Sequence, residues 1–155
     1  MGIDVGSVRI GVAVTDAAGT IALPRATVSY SRYGDHFDQI ADIIEDVAAI
    51  EVVIGYPRHL SGAEGQSARF TRRFAQELGN IVSRPRICLL DERLTTNLAH
   101  QNLATMGIDN RARHDKVDQL AAAIILEHAL ELEKNTGKLP GETIRKGTVA
   151  GAGDE

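Results

Sequence analysis

A chain of 155 residues, 43% hydrophobic and 25% charged, suits one domain built around a single core. No apolar run approaches the roughly 20 residues that span a bilayer, and Asp4 and Gly6 break up the amino terminus before a signal peptide could form. One cysteine, Cys88, excludes an internal disulfide framework and a cysteine-based zinc site, so the expected location is the cytoplasm. The net charge of −4 argues against a nucleic-acid partner, but its distribution argues for one. Residues 1–55 carry a net −5, residues 56–116 a net +4 and residues 117–155 a net −3. Phosphate responds to local potential, which makes the middle third the expected contact surface.

The opening reads as strand, tight turn, strand: Ile3 and Val5 flank Asp4, Gly6 to Arg9 turns, and β-branched residues resume from Ile10 to Thr15. A third strand is expected over 22–28, at a sheet edge because of Pro24. The first strand has only three residues before Asp4, a length expected if a few native residues precede Met1. Phe37, Ile40, Ile43, Ile44 and Val47 have helical spacing over 35–49. Val52-Val53-Ile54 is a buried strand stopped by Tyr56-Pro57. Further helices are expected over 67–78, 95–105 and 116–133, with a strand over 86–90 between the first two. From Gly137 the chain is rich in Gly and charge and poor in large apolar residues, predicting one folded domain over 1–136 and a disordered tail over 137–155. Hairpins followed by alternating strands and helices imply an α/β fold: a mixed five-stranded sheet with helices on both faces, compatible with the ribonuclease H-like arrangement.

Three clusters carry potential chemistry. Asp4 lies inside a strand, where a carboxylate is costly unless paired or metal-bound, and Gly6 lets a ligand approach the backbone. Asp91-Glu92-Arg93 follows a buried strand, at the end where open α/β sheets place their sites. Asp118 precedes Ala121-Ala122-Ala123, small residues that let a helix lie close to a sheet with Asp118 in its first turn; Asp115 reads as its N-cap. The plain alternatives are a turn cap at Asp4, helix capping by Thr95 or Thr96, and a dipole-favoured acid at Asp118. Converging carboxylates need cations, and oxygen-only ligands indicate Mg²⁺ or Mn²⁺ in a site for phosphodiester hydrolysis. Arg58, Arg69 and Arg73 are candidate phosphate contacts, weighed against a solvated helix face.

Read in order, Gly2-Ile3-Asp4-Val5-Gly6-Ser7-Val8-Arg9-Ile10-Gly11, then Ile54-Gly55-Tyr56-Pro57, Asp91-Glu92-Arg93-Leu94-Thr95-Thr96 and Lys116-Val117-Asp118 resemble the motifs of the YqgF (RuvX) family of Holliday junction resolvases and pre-16S rRNA nucleases. The resemblance implies catalytic and metal-binding roles for Asp4, Glu92 and Asp118, a phosphate contact at Arg93, and pre-rRNA or a four-way DNA junction as partner. Symmetric junction cleavage would favour a homodimer. Tyr56, Arg58 and His59 depart from the family's usual Leu, Leu and Asn. Two other classes compete. Asp-x-Gly-Ser-x-Arg-x-Gly also resembles the first phosphate loop of ATP-binding sugar kinases, but no second such loop follows. A non-catalytic RNA-binding assembly module would not need three acids at its centre.

Overall fold

The computed structural model describes residues 1–93 and 110–148. The expected helix over 95–105 lies outside them. Six strands form one sheet: β1 (Gly2–Val5), β2 (Arg9–Thr15), β3 (Ala22–Ser29), β4 (Glu51–Tyr56), β5 (Arg86–Asp91) and β6 (Glu142–Arg145). Helices α1 (Asp35–Asp46), α2 (Gln66–Ile81) and α3 (Asn110–Thr136) complete the described elements. The sheet order is β3-β2-β1-β4-β5-β6. β1, β2 and β3 are antiparallel neighbours, β1, β4 and β5 are parallel, and β6 returns antiparallel on β5. The edge position of β3 agrees with Pro24.

Strand alternation separates two cores. Ile3, Ile10, Val12, Ile54, Tyr56, Ile87 and Leu89 pack with Phe37, Ile40, Phe74 and Leu78 of α1 and α2. On the other face Val53, Cys88 and Leu90 meet Ile125 and Ala129 of α3. Helix α3 comes close because the sheet beneath it lacks side chains. A Cβ on Gly2 would stand 2.6 Å from the Ala122 carbonyl oxygen, and one on Gly11 only 1.9 Å from that of Asp118. Glycines in the strands and alanines in the helix therefore seat backbone against backbone. α3 starts at Asn110, so Asp118 lies more than two turns inside it and Asp115 does not cap it. Nothing between 110 and 116 breaks a helix, and the expected start at 116 was too late.

The expected fifth and last strand is not the sheet's edge, and the expectation of a disordered tail from 137 is wrong for the described residues. β6 covers the edge of β5, pairing Leu89 with Glu142, Cys88 with Thr143 and Ile87 with Arg145. Apolar burial is not what holds it. The buried Arg86 donates through Nη2 to the Pro140 carbonyl at 2.9 Å and to Thr143 Oγ1 at 2.7 Å, and through Nη1 to Glu51 at 3.1 Å. Arg72 binds both carboxylate oxygens of Glu142, and Arg145 donates to the Gly79 and Pro85 carbonyls. Charge-assisted hydrogen bonds worth roughly 1.5–3 kcal/mol each can order a polar segment that hydrophobicity would leave loose.

Candidate active site

The parallel strands β1, β4 and β5 end at one rim of the sheet, and the acidic residues gather there on the α3 face. Gly2 and Gly55 face α3, so Asp4, two residues after Gly2 on β1, does too. Glu92 follows β5 by one residue and continues the face of Leu90, its backbone N–H donating to the Tyr56 carbonyl at 3.1 Å. Asp118 reaches the same place from α3, across Gly11.

The electrostatics show how these acids meet. Burial lifts the Asp4 carboxyl from 3.8 to about 6, and the neighbouring Asp118 charge adds to the lift. Burial likewise lifts Glu92 from 4.5 to about 7, reinforced by Asp4 and then Asp91. Asp4 is therefore within electrostatic reach of both other acids. Among the described residues it has no ion-pair partner. Asp118 does have one: Arg9 Nε donates to its Oδ2 at 2.9 Å. No three His, Cys, Asp or Glu side chains among the described residues are grouped closely enough to enclose an ion as they stand. Room at the centre depends on Gly55, whose added Cβ would stand 1.9 Å from Glu92 Oε1 and 2.5 Å from Ile125 Cδ1.

The expected phosphate contacts separate into distinct settings. Arg58 and Arg93 converge on Asp91: Arg93 donates through Nε at 2.8 Å and Nη2 stands at 2.7 Å, while Arg58 Nη1 lies at 3.9 Å. Burial opposes ionisation of Asp91, but its hydrogen bonds from Arg93 outweigh that and hold the carboxyl below its ordinary value. Asp91 and Tyr56 are register partners facing the α2 side, so this basic pair borders the acidic centre without entering it. Arg69 donates to the Glu64 carbonyl, and Arg73 lies farther along α2 beside Tyr30 and Phe74. Arg72, their neighbour, is committed to structure with Tyr56, Glu64 and Glu142. Arg9, Gly11 and Gly55 were not singled out from the sequence as site residues. The arginine of Asp-x-Gly-Ser-x-Arg, five residues after Asp4 across a hairpin, was the available signal for Arg9.

An antiparallel β1–β2–β3 meander continued by parallel β4 and β5, with helices on both faces and acids at the carboxyl rim, defines a ribonuclease H-like α/β protein. A family model described as RuvX, Holliday junction resolvase, matches residues 1–132, and the chain belongs to that family. A Streptomyces avermitilis relative is 41% identical over 144 residues, covering 93% of this chain and 92% of its own length. A Nocardioides relative is 43% identical over 150 residues, covering 94% and 96%. Each is named "Putative pre-16S rRNA nuclease". Among solved structures the chain is similar to Thermus thermophilus RuvC, 16% identical with a TM-score of 0.45, over 92% of this chain and 98% of the other.

Proposed function

We propose that this protein is a divalent-metal-dependent endonuclease that hydrolyses phosphodiester bonds in structured nucleic acid, with Asp4, Glu92 and Asp118 as its catalytic residues. The observation that carries this reading is Asp4: a half-buried carboxylate raised to about 6, adjacent to a second raised acid, with no ion-pair partner among the described residues. A structural acid in a strand would be paired. An acid that awaits a cation need not be.

The donor set fits a hard ion such as Mg²⁺ or Mn²⁺, since all three groups offer oxygen and two carry charge that burial alone disfavours. Asp4 and Glu92 would hold it, with Asp118 as third donor. Such an ion supplies Lewis-acid charge for activating water and stabilising the leaving oxygen. The chain's own residues account for the remainder. Arg9 neutralises Asp118 and fixes its direction. Gly55 and Gly11 keep the centre open to a phosphate and bring α3 within reach. Arg58 and Arg93, held on Asp91 at the border, offer donors to the flanking phosphates, and Arg69 and Arg73 extend the basic surface along α2.

Relatives named for pre-16S rRNA and a family described by the Holliday junction give two substrates for one chemistry. Both are bound through backbone shape rather than base sequence. A homodimer would suit paired incisions in a junction. No described helix is long and apolar enough to cross a membrane, in keeping with a cytoplasmic enzyme. The test is purified protein with Mg²⁺ or Mn²⁺ given a pre-16S rRNA fragment and a four-way DNA junction side by side. Metal-dependent cleavage of either supports the proposal, and binding of both without cleavage would replace it with an RNA-binding assembly role.

A further inference from the structure

The chain has three Phe, three Tyr and no Trp, and five of those six aromatics fall in residues 30–37 and 70–74. They form one corner, where the end of β3 meets α1 and α2. Tyr30 stacks on His36 with ring centres 4.3 Å apart and lies 5.5 Å from Phe70; Phe37 and Phe74 close the cluster beneath at 5.1 Å. Phe37 and Phe74 are core residues, whereas Tyr30 and Phe70 are half-buried. Tyr33 is different again. It is 76% exposed and contributes nothing to the core.

Exposure does not leave Tyr33 on a loose loop. Its N–H donates to Ser31 Oγ at 3.1 Å, and Ser31 Oγ donates to Asp35 at 3.2 Å. The Gly34 N–H donates to the Ser31 carbonyl at 3.0 Å, and the Ser31 N–H donates to His36 Nδ1 at 3.1 Å. Gly34, with φ of 86°, supplies the left-handed turn this bonding needs. The result is a braced turn that presents an aromatic ring to solvent, with the Arg32 guanidinium 4.8 Å from the ring centre. Arg73 lies beside Tyr30 and Phe70, so arginines and aromatic rings alternate across the corner. Asp35, Asp38 and Glu77 are also nearby, so charge alone does not define this surface.

Topology places the turn at the rim that carries the acids. Arg9, which binds Asp118, is the register partner of Ser29, and the Tyr30 N–H donates to the Val8 carbonyl at 2.9 Å. The turn after β3 thus lies two strands from β1, about 10 Å sideways along the rim at ordinary strand spacing, on the α1–α2 side of the sheet and not the α3 side that bears the acids. We infer that Tyr33 and Arg32, backed by Tyr30, Phe70 and Arg73, form a stacking platform for an unpaired base of a single-stranded nucleic-acid segment leaving the acidic centre across the β1–β2 turn. The inference rests on the nuclease reading for its partner. Its chemistry is that of single-strand binding surfaces, where bases stack on aromatic rings and arginines meet the backbone.

The test is a binding cycle on the full chain in EDTA, where no cleavage can occur. The probes are a ten-nucleotide thymidine homopolymer and its fully abasic counterpart. Wild-type protein should bind the base-bearing strand about tenfold more tightly, within the range of one aromatic–base stack. Tyr33→Ala should reduce that preference to less than about twofold, Tyr33→Trp should restore it, and Tyr33→Leu, which keeps bulk without a π-face, should not. An undiminished preference in Tyr33→Ala, or none in the wild type, would overturn the platform. Because the assay needs no catalysis, failure of the nuclease reading would leave this result standing, and the reverse.

Discussion

Arg9 and Asp118 are 109 residues apart in the chain, yet the Arg9 Nε–H donates to Asp118 Oδ2 at 2.9 Å, tying the first hairpin to the last long helix. The pair spans the Gly11 contact, where strand and helix backbones touch. It also sets the charge of the site, since the Arg9 guanidinium neutralises one of the three acids. Without it Asp118, Asp4 and Glu92 would repel with less compensation.

Arg9→Met should therefore lower metal-free stability by about 1 kcal/mol, a modest amount because the arginine is part-exposed and screened by water. Added Mg²⁺ should then raise the melting temperature more in the variant than in the wild type. Equal metal-induced shifts in the two proteins would show that Arg9 does not share the neutralising task.

The raised carboxyls make stability depend on pH in a defined direction. Asp4 rises from 3.8 to about 6 and Glu92 from 4.5 to about 7, so between pH 4 and pH 7 the folded protein binds more protons than the unfolded chain. Stability is then fully present below about pH 4 and is lost as pH rises through 6 and 7. The combined loss should be roughly 3 kcal/mol, allowing for coupling between the two sites. Urea unfolding in EDTA at pH 5 and pH 8 measures this contribution as the difference between wild type and Asp4→Asn. The substitution should flatten the profile and stabilise the protein at pH 8.

A chain stopped at Gly137 should be destabilised, not neutral. It loses β6 and leaves the buried Arg86 without the Pro140 carbonyl and Thr143 Oγ1. Arg86 keeps its ion pair with Glu51, but each charge-assisted hydrogen bond lost is worth roughly 1.5–3 kcal/mol, so stability should fall by about 2–4 kcal/mol. Denaturant melts of the full and shortened chains decide this, with coincident curves counting against any structural role for the segment.

Gly55→Ala probes the site with little disturbance elsewhere. The new methyl would have to displace the Glu92 carboxylate and the Ile125 side-chain tip, and both can move. Cleavage should fall at least about tenfold, while overpacking costs about 1–3 kcal/mol of stability. Retained cleavage in a folded variant would show that Glu92 tolerates displacement.

Much of the fold was legible because hydrophobic periodicity reports burial directly. Ile10 and Val12 alternate as a strand requires, Val52-Val53-Ile54 forms the short apolar run of a buried strand, and Phe37, Ile40 and Ile44 recur as a helix requires. Pro24 correctly marked an edge. Asp4 stood out because a carboxylate inside a strand demands a reason. What stayed hidden depended on long-range polar contacts. β6 has almost no apolar signal, and its order comes from Arg72, Arg86 and Arg145, whose side chains are 54 or more residues away from the partners they hold there. Arg72 and Arg73 look alike in sequence, yet one is half-buried in an ion network and the other is exposed beside aromatic rings. Adjacent helix positions point about 100° apart, and only the third dimension says what lies in each direction.

The central claim is that Asp4, Glu92 and Asp118 act together on a phosphodiester through a bound cation. The most direct measurement is single-turnover cleavage of the pre-16S rRNA fragment and the four-way junction in Mg²⁺ by wild type, Asp4→Asn, Glu92→Gln and Asp118→Asn, with circular dichroism melts of each. The account predicts that every substitution lowers cleavage by at least about 100-fold while the protein stays folded, consistent with loss of a transition-state contact. A folded variant of any of the three that cleaves at the wild-type rate would contradict it.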